Sequence, residues 1–170
     1  FNPQTLVRSR EPLLSPAWSP DGKRIAYVSF QKGSSAVYIV ELATGIGATE
    51  PVSSSKGING APAFSPDGGK LALTLSKSGN PEIYVMDIAS RALRQVNNHY
   101  GIDTEAVWTP DGQNLLFTSD RGGKPQIYVM AATGGPAQCI SLGQGSNSTE
   151  EWSAGGDYTA LTKKGGGPFS

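Results

Sequence analysis

Trp18-Ser19-Pro20-Asp21-Gly22 is a phrase the chain repeats as Phe64-Ser65-Pro66-Asp67-Gly68, as Trp108-Thr109-Pro110-Asp111-Gly112 and, eroded, as Trp152-Ser153-Ala154-Gly155-Gly156. Its reading decides the fold. Proline at the second place of a turn presets φ to about −65°, aspartate bends its carboxylate onto nearby backbone N–H groups, and glycine takes the left-handed place that closes a hairpin. The phrase is therefore a tight turn between two strands. The aromatic ahead of it is expected to be a large core residue that packs one sheet on the next.

The aromatics stand at 18, 64, 108 and 152, with spacings of 46, 44 and 44. Tyr38, Tyr84 and Tyr128 follow the first three by twenty residues each. After each turn comes a short β-rich run, at 25–28, 71–74 and 115–118, and a connector with a late glycine (Gly33, Gly79, Gly123) leads into the tyrosine strand. A last short strand follows at 93–96 and 138–140, so each repeat reads as four strands, and no amphipathic helix is legible.

A period of about 44 residues with four strands is that of a β-propeller blade, which cannot bury both its faces alone and must stack on neighbours. The expected fold class is all-β, an incomplete propeller of four-stranded blades within one partial domain, 1–170. Whole blades are expected at 13–58, 59–102 and 103–146. The segment 1–12, with Thr5-Leu6-Val7-Arg8, reads as the last strand of a preceding blade, and 147–170 as a truncated one that stops before its tyrosine strand. Chain ends that cut inside blades suggest part of a larger ring.

Composition fits this reading. Glycine (22) and proline (12) are abundant without a collagen-like period, which points to many turns. Fourteen basic against fourteen acidic residues give no net charge, and no apolar run approaches the length of a membrane span. Neither a nucleic-acid partner nor direct membrane insertion is expected. Phe1 opens without a signal-like stretch, so the chain reads as mature or cut from something larger. A single cysteine, Cys139, excludes an internal disulfide and reads as a small buried hydrophobe.

Catalytic patterns are sparse. His99 is the only histidine and lies in the variable loop Asn97-Asn98-His99-Tyr100-Gly101, with no Gly-x-Ser-x-Gly elbow to serve and no phosphate-binding Gly-x-x-x-x-Gly-Lys motif anywhere. The neighbouring carboxylates Glu150-Glu151, Asp103-Thr104-Glu105 and Asp120-Arg121 match no calcium loop and read as solvated loop charge. No cofactor or metal ligand is assigned, and a calcium ion in the channel of a complete ring is left open.

One set of positions varies while the turn stays constant. Four and three residues before the aromatic stand Leu14-Ser15, Gly60-Ala61, Thr104-Glu105 and Ser148-Thr149. They are expected to gather around one opening of the ring. Constant framework with a variable rim is how a propeller presents a binding surface, so Ser15, Gly60, Ala61, Thr104, Glu105, Ser148 and Thr149 are the candidate protein-binding residues.

Residues 14–22, 60–68 and 115–130, the last with Phe117-Thr118-Ser119-Asp120-Arg121, resemble the propellers of the TolB family, periplasmic components of the Tol–Pal system. The likeness runs from about residue 5 to 160. It implies a six-bladed ring in the whole protein, an α/β domain absent here that engages TolA, and no enzymatic activity. It also implies a periplasmic location, binding of the peptidoglycan-associated lipoprotein Pal, competition by colicin translocation segments, and a part in outer-membrane integrity and cell division. Ala61, Thr104 and Glu105 fall on family positions implicated in the Pal contact, whereas Ile58 replaces a histidine of the family. Two other readings compete: the gating propeller of a prolyl-oligopeptidase-like serine peptidase, whose relatives use the same turn phrase, and a structural propeller with an unrelated partner.

Overall fold

The computed structural model describes residues 3, 5–44 and 50–141, and the strands at 146–152 and 159–164. All regular structure among these is β. The first sheet orders β1 (Leu13–Trp18), β2 (Arg24–Ser29) and β3 (Ala36–Glu41) side by side. The second orders β4 (Asn59–Phe64), β5 (Lys70–Leu75), β6 (Glu82–Asp87) and β7 (Leu93–Gln95), and the third β8 (Asp103–Trp108), β9 (Asn114–Ser119), β10 (Gln126–Ala131) and β11 (Gln138–Cys139). A final hairpin joins β12 (Ser146–Trp152) to β13 (Thr159–Lys164). Every pairing is antiparallel between chain neighbours. The first strands of successive sheets lie against one another, β1 on β4, β4 on β8 and β8 on β12, so the sheets radiate from a common inner edge.

The turn phrase folds in the same way three times. Gly22 N–H donates to the Ser19 carbonyl, and Gly22 sits at φ 68°. Ser19 Oγ donates to Asp21 Oδ1 at 2.6 Å, and that oxygen also accepts from Lys23 N. Gly68 and Gly112 repeat the left-handed turn, with Asp67 and Asp111 bonded to Ser65 and Thr109. The turns also stack, Pro20 lying over Gly68 and Pro66 over Gly112 where a β-carbon would meet each ring. Arg24 strengthens the first of these steps by donating to the Gly68 carbonyl at 2.7 Å and lying 5.3 Å over the Phe64 ring.

Packing between sheets follows the two-residue period of the strands. Ala26 and Val28 meet Phe64, Leu71, Leu73 and Leu75 between the first two sheets. Ala72, Ile83 and Val85 meet Trp108, Leu115 and Phe117 between the second and third. Both faces of the second sheet are thus buried, and Leu71, Leu73 and Leu75 are 0% exposed, each worth about 1.5–3 kcal/mol of transfer energy.

Three expectations change. Trp18 is not a core residue: it is 61% exposed, against 7% for Trp108, because no sheet lies on the outer face of β1 among the described residues. The fourth strand of the first repeat shrinks to one bridge between Val37 and Ser53. Residues 5–8 pair with no described strand, and Val7 packs near Tyr27, Tyr38 and Val40. Asp103 is not solvated loop charge but 0% exposed, with its Oδ2 paired to Arg121 at 2.7 Å. The eroded turn 153–156 and the tail 165–170 lie outside the described residues.

Candidate functional site

The rim candidates share a backbone feature the sequence does not advertise. Ser15, Ala61 and Glu105 all have positive φ, at 49°, 46° and 58°, although none is glycine. Each sits where its inner strand slips register. Leu14 pairs with Val28 but Ala17 with Ala26, Gly60 with Thr74 but Ala63 with Ala72, and Thr104 with Thr118 but Val107 with Leu116. Two residues therefore oppose one, a β-bulge that bends the strand and re-aims side chains. The fourth inner strand slips at the same place, between Thr149 and Glu151, with Ser148 and Thr149 just ahead of the shift.

The bulge explains why proline is tolerated at Pro16 and Pro62 inside these strands: proline lacks a ladder donor and is at home at edges and bulges. Left-handed φ costs a non-glycine residue about 1–2 kcal/mol. Three repetitions of that cost at one register position mark a built feature of the inner edge.

Ser15 and Glu105 are exposed, whereas Gly60, Ala61 and Thr104 are half-buried. Adjacent rim positions are stitched together, since Glu105 N–H donates to Thr74 Oγ1 at 3.2 Å, and Thr74 pairs with Gly60. The buried Thr74 thereby ties Gly60 and Glu105 together beneath the rim.

Three exposed apolar residues lie near this edge; the sequence singled out Ile58, at a family position held by histidine, but not Tyr100 or Ile102. Ile58 and Ile102 stand immediately before β4 and β8, 50% and 49% exposed, and Tyr100 is 84% exposed. Their backbones are held: Ile58 N–H donates to Ser76 Oγ, and Ile102 N–H to Asp120 Oδ1, both at 2.7 Å. The available signal was positional, because Ile58 and Ile102 are 44 residues apart and occupy equivalent places in their repeats.

His99 and Cys139 each contact a nearby backbone group. His99 Nδ1 accepts from Gly101 N–H at 3.0 Å, and its ring lies 4.2 Å from that of Tyr100. Cys139 is half-buried on β11, its Sγ directed at the Ser141 carbonyl at 3.2 Å.

With this architecture in view, the comparisons with known proteins are decisive. The model of the TolB beta propeller domain matches residues 1–170. The chain belongs to the TolB β-propeller family. It is similar to the Tol-Pal system protein TolB of Xanthomonas oryzae pv. oryzae, 66% identical over 61 residues, which are 36% of this chain and 13% of that protein. The crystal structure of TolB from Acinetobacter baumannii superposes with a TM-score of 0.86 and 48% identity, over 94% of this chain and 40% of that one. The putative TolB from Agrobacterium tumefaciens shares the fold, with a TM-score of 0.75 at 19% identity, over 94% of this chain and 72% of that one. The chain thus spans well under half of the Acinetobacter protein. It is an all-β, partial TolB-type propeller.

Proposed function

We propose that the chain is the protein-binding part of a non-enzymatic TolB propeller of the Tol–Pal system, acting in the periplasm. Its partner on this reading is the globular domain of Pal, docked on the bulged rim. Colicin translocation segments would compete for an overlapping surface, and TolA would be engaged through a domain outside this chain. Outer-membrane integrity and constriction at division are the processes served.

One observation supports the reading: three of the positions that vary between repeats, Ser15, Ala61 and Glu105, sit in the left-handed bulge of their inner strands, in repeats that also expose Ile58, Tyr100 and Ile102. A surface that mixes small, polar and apolar groups suits a reversible protein contact, with tyrosine a common anchor in such patches. Glu105, exposed at its bulge, would offer a partner's basic side chain or backbone N–H a carboxylate.

The test is an NMR titration of isotope-labelled chain with the soluble domain of Pal. Shifts centred on Ala61, Thr104 and Glu105 are expected, and a folded Thr104→Ala/Glu105→Ala variant should bind more weakly. Dispersed spectra that ignore Pal, or unchanged affinity in the folded double variant, would overturn the rim assignment.

A further inference from the structure

Three equivalent places recur at the blade junctions, polar at every one but Ala36: the start of the tyrosine strand, a residue at or just after the outer strand, and the first or second residue of the next inner strand. They are Ala36, Ser53 and Asn59 at the first junction, Glu82, Asn97 and Asp103 at the second, and Gln126, Ser141 and Asn147 at the third. The first junction is neutral and satisfied: Asn59 Oδ1 accepts from Ser53 Oγ and Ser55, while its Nδ2 donates to the carbonyls of Ser35 and Ser55. At the third, Ser141 Oγ donates to Gln126 Oε1 at 2.8 Å. Only the second carries carboxyls.

Both of those are buried, Glu82 at 1% exposure and Asp103 at 0%. Asp103 Oδ2 accepts from Arg121 at 2.7 Å and from Asn97 Nδ2. Glu82 Oε1 accepts from His99 N–H at 2.9 Å. Among the described residues, the two remaining oxygens, Glu82 Oε2 and Asp103 Oδ1, receive no hydrogen bond. Burial above all raises the proton affinity of Glu82; the His99 N–H and, more weakly, the Asn80 side chain lower it, and the Asp103 carboxyl raises it. Two desolvated carboxylates facing each other repel, whereas one proton between them turns the repulsion into a charge-assisted O–H···O bond. Arg121 and Asn97 occupy Asp103 Oδ2, which leaves Asp103 Oδ1 and Glu82 Oε2 as the two oxygens such a proton would join.

We propose that Glu82 and Asp103 share one proton through their two donorless buried oxygens, and that this bond fastens the 97–102 loop to the junction between the second and third blades. The geometry links the pair to that loop at both ends: Glu82 accepts from His99 N–H, and Asp103 accepts from Asn97. The other charged or titratable groups around it are Arg121, the His99 ring, Asp120 beneath Ile102, and Tyr128, over whose ring Arg121 lies at 4.9 Å. When the proton leaves to solvent, the bond becomes a repulsion and the loop that presents Tyr100 loosens.

The test is an NMR titration of carbon-13-labelled full chain, following the Glu82 carboxyl carbon and the amides of 97–102. No partner protein enters it, so its failure is separate from any failure of the binding reading. Glu82 is expected to titrate at higher pH than the exposed glutamates, and the loop amides to shift with the same midpoint. Glu82→Gln, whose amide supplies a permanent donor to Asp103, should abolish that midpoint in the loop. The wild-type titration decides the matter if E82Q does not fold. Titration of Glu82 with or below the exposed glutamates, or loop amides that do not follow it, would overturn the shared proton. So would stabilisation by added calcium that E82Q removes, because the pair would then hold a cation.

Discussion

The indole Nε1 of Trp108 donates to the main-chain carbonyl of Ala63 at 3.0 Å, across the junction between the second and third sheets. The aromatic of the turn phrase therefore does two jobs, filling the gap between sheets and satisfying an inner-strand carbonyl of the preceding one. Trp108→Phe should keep most of the packing and cost about 1–2 kcal/mol through the carbonyl left without a donor. Trp108→Ala should cost about 3–5 kcal/mol. Trp18→Ala, at the same place in the first repeat but 61% exposed, should cost less than about 1 kcal/mol. Urea unfolding midpoints compare all three, and equal losses at 18 and 108 would contradict the packing described.

Acid should weaken the turns. Hydrogen bonds from Ser19, Ser65 and Thr109 first, and then from backbone N–H groups, lower the pKa values of Asp21, Asp67 and Asp111. A folded pKa below the unfolded one gives stability that is present above the unfolded value, about 3.9, and is lost as pH falls through the folded one. The triple variant D21N/D67N/D111N should show a shallower acid limb in thermal melts between about pH 5 and 2. Part of the slope should remain, because Asp87, bonded to Ser90, is shifted the same way.

How far the sequence reached depends on what kind of residue carries each feature. Turns were legible because Pro, Asp and Gly have backbone preferences that survive any context, and the spacing of Trp18, Phe64 and Trp108 then counted the blades. Trp18 shows the limit: its burial depends on a neighbouring sheet, which no local pattern encodes. The bulge was hidden for another reason. Ser15, Ala61 and Glu105 have no common side-chain chemistry, and only Pro16 and Pro62 hinted that the ladder breaks there. Asp103 was misread for a similar reason, since its counter-charge, Arg121, stands eighteen residues away and meets it only across the β8–β9 hairpin.

The bulge makes its own prediction at Ala61, where φ is 46°. Ala61→Gly relieves left-handed strain but adds unfolded-chain entropy, so stability should change by no more than about 0.5 kcal/mol, unlike most glycines placed in strands. Ala61→Val puts a β-branched residue in a conformation it strongly disfavours and should cost about 1–2 kcal/mol. Chemical denaturation separates the two. A reversed order would mean the inner strand straightens to accommodate valine.

Tyr100 and Ile102 separate a rim that binds from one that is only exposed. The Tyr100 ring rests beside that of His99, and its hydroxyl donates to the Arg121 carbonyl at 3.3 Å, a long bond at the surface. Removing either side chain should therefore leave stability within about 0.5 kcal/mol of wild type. If the rim is the Pal surface, exposed aromatic and aliphatic anchors at its edge carry a disproportionate share of the affinity, and Tyr100→Ala should weaken Pal binding about tenfold or more. Ile102→Ser should act in the same direction, with a smaller loss. Isothermal titration of each folded variant with soluble Pal measures both. Wild-type affinity in both variants would move the contact away from the 97–102 loop, toward Ser15 and Ala61 on the first two inner strands.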